Sequence, residues 1–255
     1  MPEATPAGST PRQRQAANRR RRIRAAGLVL LFTLVGLVVG FGTSPFFSVE
    51  SIVVEAPTTE LRDQVAAAVR PPPDLNLLTG DLRLLARQAE AVPEVGKARV
   101  WRRLPRELVV TVTRRVPIVS VESPDGLWLA DEEGRLLRQV DEQPSGMPLV
   151  RGLDLAAARP GWYLHGSQYA VAAECVRWMR RLTPLKEATV DLSRAEMVVV
   201  LAQDVEGLVG PPRDVGRKLV LLASSMGGLR AKGVGRLQVD VRDPANSTWQ
   251  QLTPQ

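Results

Sequence analysis

Residues 25–42 read Ala25-Ala26-Gly27-Leu28-Val29-Leu30-Leu31-Phe32-Thr33-Leu34-Val35-Gly36-Leu37-Val38-Val39-Gly40-Phe41-Gly42, without a single charged side chain. The uncharged run continues to Val49 and stops at Glu50. A helix rises about 1.5 Å per residue, so roughly 20 residues cross a hydrocarbon core about 30 Å thick. Eleven of residues 26–42 are Leu, Val or Phe. At about −0.3 to −0.6 kcal/mol each, they favour insertion by roughly −3 to −7 kcal/mol. A helix on a soluble core would carry a polar face, and this run carries none. A cleaved leader would end on small residues in an A-x-A pattern, whereas Gly42-Thr43-Ser44 runs into Pro45-Phe46-Phe47. The expectation is an uncleaved membrane anchor.

The flanks orient it. Arg12, Arg14, Arg19, Arg20, Arg21, Arg22 and Arg24 precede the run against Glu3 alone. After it, Arg62 stands against Glu50, Glu55 and Glu60. The excess of Arg predicts a cytoplasmic N-terminus and an extracytoplasmic remainder. Arg19, Arg20, Arg21, Arg22 and Arg24 are the residues expected to set topology and touch anionic lipid. Residues 1–24 hold six of the chain's seven net positive charges. The basicity is therefore that of a short disordered tail beside a membrane, not a nucleic-acid-binding surface.

The rest is long enough for one or two ordinary cores. Cys175 is the only cysteine, so no intrachain disulfide can hold them. A strand is predicted over 47–55. A helix then opens at Pro57-Thr58-Thr59, with Leu61, Val65, Ala68 and Val69 on one stripe. Pro71-Pro72-Pro73 ends it. A second helix, N-capped by Thr79, carries Leu82, Leu85, Ala86 and Ala89 and stops at Pro93. Strands over 98–103 and 108–114 follow, joined at Leu104-Pro105-Arg106-Glu107. The order β-α-α-β-β packs two helices on one face of a small sheet.

Asn76-Leu77-Leu78, Pro93-Glu94-Val95, Ala98-Arg99-Val100, Arg103-Leu104-Pro105, Leu108 and Arg115-Val116-Pro117, in this order behind a single anchor, resemble the polypeptide-transport-associated (POTRA) domain of the FtsQ/DivIB family of bacterial cell-division proteins. Two positions depart from that pattern: Glu94 stands where the family often has an aromatic, and Arg114 where it often has Glu. The remainder is similar to the family's second, β-rich domain. Residues 126–130 and 135–138 flank Asp131-Glu132-Glu133-Gly134 as a hairpin, with Gly134 left-handed and the acids solvated at its tip. Met147-Pro148-Leu149-Val150-Arg151-Gly152 follows. Helices are predicted over 168–182, with Val171, Cys175, Trp178, Met179 and Leu182 on one face, and over 214–226. Strands are predicted over 188–192, 197–203, 207–209, 236–241 and 246–252. The expected fold is α+β, with a tail (1–24), a transmembrane helix (25–45), a POTRA domain (46–117) and a β domain (118–253) in which two helices pack on a mixed sheet.

The residues offer no catalytic constellation. His165 is the only histidine, so zinc chemistry and a Ser-His-acid arrangement lack partners. Cys175 on an apolar stripe reads as core. Residues 227–235 are Gly-rich and basic but lack the phosphate-loop order, and read as a helix cap and loop. Arg83, Arg87, Arg99, Arg102, Arg103, Arg114 and Arg115 read as a basic face of the first outer domain, either a solvated surface or a docking face for partners or lipid. The expectation is a non-enzymatic protein with no cofactor, metal, nucleic acid or small-molecule substrate.

The resemblance implies a bitopic scaffold at the septum in the cell inner membrane. It would bind FtsB/FtsL-type partners and support septal peptidoglycan synthesis. A membrane-tethered POTRA protein of secretion or outer-membrane assembly is the alternative, although the chain has no room for a barrel. The last strand-like stretch, Asn246, Ser247, Thr248, Trp249, Gln250 and Gln251, is the expected strand-addition site. Trp249 there is read either as the interface anchor or as a closing piece of the core.

Overall fold

The computed structural model describes residues 26–37, 39–41, 44–73, 75–155, 158–194, 197–230 and 236–252. Two sheets carry two separate apolar cores.

The apolar run is helical over 26–37 and 39–41, and its large side chains are exposed, Phe32 at 74% and Leu30 at 71%. No helix among the described residues is long and apolar enough to cross a membrane. Val38 and residues 42–43 lie outside the described residues, as do Arg19, Arg20, Arg21, Arg22 and Arg24.

The first unit contains β1 (Ser51–Glu55), α1 (Thr59–Ala68), α2 (Arg83–Ala91), β2 (Val95–Arg103) and β3 (Glu107–Arg114). β3 lies centrally, parallel to β1 and antiparallel to β2. Both helices cover one face, around Leu61, Val65, Leu77, Leu85, Leu108 and Val110. Thr58 caps α1 by accepting from the N–H of Leu61. Two expectations fail locally. Residues 45–47 form a 3₁₀ turn that buries Phe47, so the strand starts at Ser51. Thr79 caps nothing: Asp81 accepts from the N–H of Arg83 at 2.9 Å, and Thr79 turns back to Asn76. The Asp81 carboxylate lies closer to the helix start than the Thr79 hydroxyl does.

The second unit adds β4 (Val119–Ser123), β5 (Gly126–Ala130), β6 (Leu136–Val140), β7 (Leu149–Arg151), α3 (Ser167–Met179), β8 (Thr189–Asp191), β9 (Val198–Ala202), β10 (Val205–Gly210), α4 (Val215–Arg230), β11 (Leu237–Asp240) and β12 (Thr248–Gln251). They make one mixed nine-stranded sheet, ordered β12-β11-β10-β9-β8-β7-β4-β5-β6. Helix α3 buries Ala172, Cys175, Val176 and Met179, and Val171 and Trp178 are only partly covered. Burial pushes the Cys175 thiol up to about 12, which removes it as a nucleophile.

β10 and β11 run parallel, so a crossover must join them, and α4 supplies it. It extends through Gly227 and Gly228 to Arg230, past the expected end at Met226. Residues 231–235 of the glycine-rich stretch lie outside the described residues. α4 crosses the sheet so closely that a Cβ on Gly207 would stand 2.4 Å from Leu222 Cδ2.

The hairpin between β5 and β6 turns as predicted, with Gly134 at φ +81°. Asp131 in that hairpin is a correction, for it is buried at 5% exposure rather than solvated. Its Oδ1 accepts from the N–H groups of Glu133 and Arg135, both at 2.9 Å. Its Oδ2 accepts from Arg115, the first residue of the connection between the units, which also donates to Glu133 at 2.9 Å and to the Val95 carbonyl at 2.9 Å. Arg135, likewise buried, donates through Nη2 to the carbonyls of Glu90 and Ala91 at 3.2 and 3.0 Å, at the C-terminal end of α2. Desolvation alone would pull the Arg115 guanidinium down. The bonds from Glu133 and Asp131 outweigh it and raise it.

A candidate partner-docking edge

A nine-stranded open sheet has two edges, and the chain treats them differently. Beside β6 the loop at 161–164 returns. Leu136 donates to the Trp162 carbonyl and Gly161 to the Leu136 carbonyl, both at 2.7 Å, and Arg135 bridges to Tyr163. That edge is covered at its start, at Arg135 and Leu136. At the other end β12 pairs antiparallel with β11, and among the described residues nothing pairs with its far side.

The strand is shorter than expected, Thr248–Gln251 instead of 246–252. Asn246 closes a turn, donating through its backbone to the Asp243 carbonyl at 3.1 Å and through Nδ2 to Asp243 Oδ2 at 2.8 Å. Ser247 is exposed and leads into the strand. The side chains of Thr248, Trp249, Gln250 and Gln251 are all exposed.

Register determines which backbone groups face outward. Leu252 donates to the Arg236 carbonyl at 2.9 Å, so Gln250 and Thr248, at the same parity, exchange their bonds with Gln238 and Asp240. On the other side of β11, Leu237 and Val241 donate toward β10, to the carbonyls of Asp204 and Leu208. The N–H and C=O groups of Trp249 and Gln251 therefore point away from the sheet. The parity is decisive for any backbone test: Thr248 spends its N–H inside the sheet.

Trp249 lies opposite Val239, on the face that carries the core, and is 54% exposed. Val239 beneath it is 2% exposed. More than half of the Trp249 surface therefore lies in solvent, beside a buried cross-strand neighbour. Nearby, the Arg242 side chain holds the Asp240 carboxylate below the usual range, binding Oδ2 through Nη2 at 2.5 Å. Asn246 and the Ala245 N–H do the same for Asp243.

The remaining candidates do not assemble into a reactive centre. His165 is exposed and stacks on Tyr163, with ring centroids 6.3 Å apart. Among the described residues no group of His, Cys, Asp and Glu is placed to hold a metal. The basic face breaks up into separate engagements. Arg114 pairs with Glu94 at 2.6 Å, Arg103 with Glu107 at 3.1 Å, and Arg102 donates to the carbonyls of Leu77 and Gly80.

No family model matches the chain. It is similar to the cell division protein FtsQ of Mycobacterium tuberculosis, at 34% identity over 111 residues, 41% of this chain and 35% of that protein. It is similar to FtsQ of Mycobacterium leprae at 31% over 116 residues, 45% of this chain and 34% of that protein. FtsQ of Syntrophotalea carbinolica matches at 29% over 119 residues, 46% of this chain and 42% of that protein. The matched stretch spans about a third of the length of the mycobacterial relatives. Over less than half of its own length the chain thus resembles bacterial cell-division proteins of the FtsQ type.

Proposed function

We propose that the protein is a non-enzymatic bitopic scaffold of the division machinery, and that the outer edge of β12 takes an extended segment of a partner as a further strand. The observation that carries this reading is the pairing of outward backbone groups at Trp249 and Gln251, unpartnered among the described residues, with a half-exposed aromatic. Main-chain bonds give such an interface affinity and the side-chain pocket gives it specificity. The FtsQ resemblance supports FtsB/FtsL-type bitopic proteins as the occupants and septal peptidoglycan synthesis as the process served.

In this reading residues 25–45 are a single anchor, residues 46–117 a POTRA domain and residues 118–253 the β domain. Arg19, Arg20, Arg21, Arg22 and Arg24 hold the N-terminus in the cytoplasm of a cell whose septal plasma membrane carries the protein. Support for the anchor is the charge-free run and the exposed apolar surface along its helix.

The experiment is photo-crosslinking of the full-length protein in dividing cells. A benzophenone side chain at Trp249 should trap a bitopic partner, while one at Arg138 on β6 should not. Equal capture at both positions, or capture at Arg138 alone, rejects the β12 edge.

A further inference from the structure

The apolar helix touches the first unit's core. The ring of Phe41, at its end, meets the ring of Phe47 edge-on, with centroids 5.3 Å apart, and Phe47 belongs to the first unit's core. Phe46 stacks edge-on to Phe47 at 5.2 Å. Three further bonds fix the same junction. Arg106 Nε donates to the Phe46 carbonyl at 3.1 Å, Asn76 Nδ2 to the Ser44 carbonyl at 3.4 Å, and the Leu77 N–H to the Phe47 carbonyl at 2.7 Å. Two sequence-distant segments, the turn at 76–80 and the β2–β3 hairpin tip, thus close around residues 44–47, which follow the helix.

What those segments present is apolar. Leu104 at the hairpin tip is 56% exposed, Phe46 50% and Leu78 40%. Arginines surround them. Arg102 binds only backbone carbonyls in the bonds described, so no carboxylate offsets its charge there. Arg103 and Arg106 pair with acids yet keep side chains 45% and 38% exposed. Apolar side chains beside long cationic ones fit the boundary where acyl chains meet phosphates, because the stems lie in hydrocarbon and the guanidinium groups reach the phosphates.

We infer that Phe46, Leu78 and Leu104, with Arg102, Arg103 and Arg106, form a collar seated in the headgroup boundary of the outer leaflet of an anionic phospholipid bilayer. The inference rests on residues 25–45 being a membrane anchor. Continuity with the apolar helix selects lipid as the occupant: a membrane holding that helix meets these residues at its surface. The collar would fix the tilt of the first unit and, through the Arg115 and Arg135 contacts, the height at which β12 is presented.

The test uses the full-length chain in nanodiscs of phosphatidylcholine with phosphatidylglycerol, carrying one spin label at a time. Sites are Leu34→Cys, Leu78→Cys, Leu104→Cys and, as aqueous reference, Ala245→Cys. Buried Cys175 does not label. Collision with oxygen against a water-soluble nickel chelate reports depth. Labels at 78 and 104 should shift from the Ala245 value toward the Leu34 value. Their agreement with Ala245, beside a lipid value at Leu34, overturns the collar alone. An aqueous value at Leu34 as well removes the anchor and the collar together. Shielding of 78 and 104 from both reagents marks a protein contact, such as a second copy, and also overturns the lipid assignment.

Discussion

Trp249 shows how far a single side chain could be judged from sequence. Alternation along 246–252 assigns it to a face but cannot say whether a helix covers that face at this position. It lies on the core side, opposite Val239, and remains half exposed. Trp249→Ala should cost about 2 kcal/mol or more in partner binding and shift the melting temperature little, a combination that calorimetric titration and thermal denaturation together read. Glu94 and Arg114 are a second case. Each departs from the family pattern when taken singly, and the fold brings them together at 2.6 Å, with Arg138 3.5 Å from the same Glu94. Their separation in sequence hid one pairing behind two anomalies. Asp131 was misjudged because a hairpin tip is ordinarily wet, whereas here the neighbouring unit closes over it. At Asp240 the folded pKa is depressed, chiefly by Arg242. The resulting stability is present above the ordinary aspartate value and is lost as pH falls through the lowered one. A carboxyl titration by carbon NMR should therefore show the 240–246 turn unchanged from neutral pH down through the ordinary aspartate range, and Arg242→Ala should move the Asp240 midpoint upward.

Among elements, strong periodicity was legible and long-range pairing was not. Helix α1, both strands of the β2–β3 hairpin and the Gly134 turn follow from spacing, Thr58 and a glycine at φ +81°. The place of β12 at the sheet's end was expected from its being the last strand, yet its parity came only from the Leu252–Arg236 bond and the register with β11. That parity makes two proline variants diverge. Gln251→Pro removes an outward N–H and leaves the ladder intact, so the folded protein should lose partner affinity. Thr248→Pro removes a bond to Asp240's strand and should detach β12, raising amide exchange at Gln250 even without a partner. Reversed behaviour of the two would refute the register. The helix α4 runs past its expected end through Gly227 and Gly228, where an added Cβ would meet nothing within 4 Å.

For the whole molecule, the two units are joined through charge buried at their junction. Arg135 satisfies carbonyls at the end of α2, and Arg115 bridges Val95 to Asp131 and Glu133. Arg135→Ala leaves those helix-end carbonyls unpaired at a cost of about 1–3 kcal/mol. It should lower the melting temperature and broaden the distance distribution between spin labels placed one on each unit. No sequence signal announced this junction, since the residues that meet lie 16 to 45 positions apart. The proposed function has a partner chain extending the nine-stranded sheet at β12. Amide hydrogen exchange resolved to single residues, on the full-length protein in nanodiscs with and without an FtsB-type partner, tests it most directly. Partner addition should slow exchange at Trp249 and Gln251 while leaving Thr248 and Gln250, already bonded to β11, nearly unchanged. Bound partner with Trp249 and Gln251 still exchanging at their free rates would contradict strand addition.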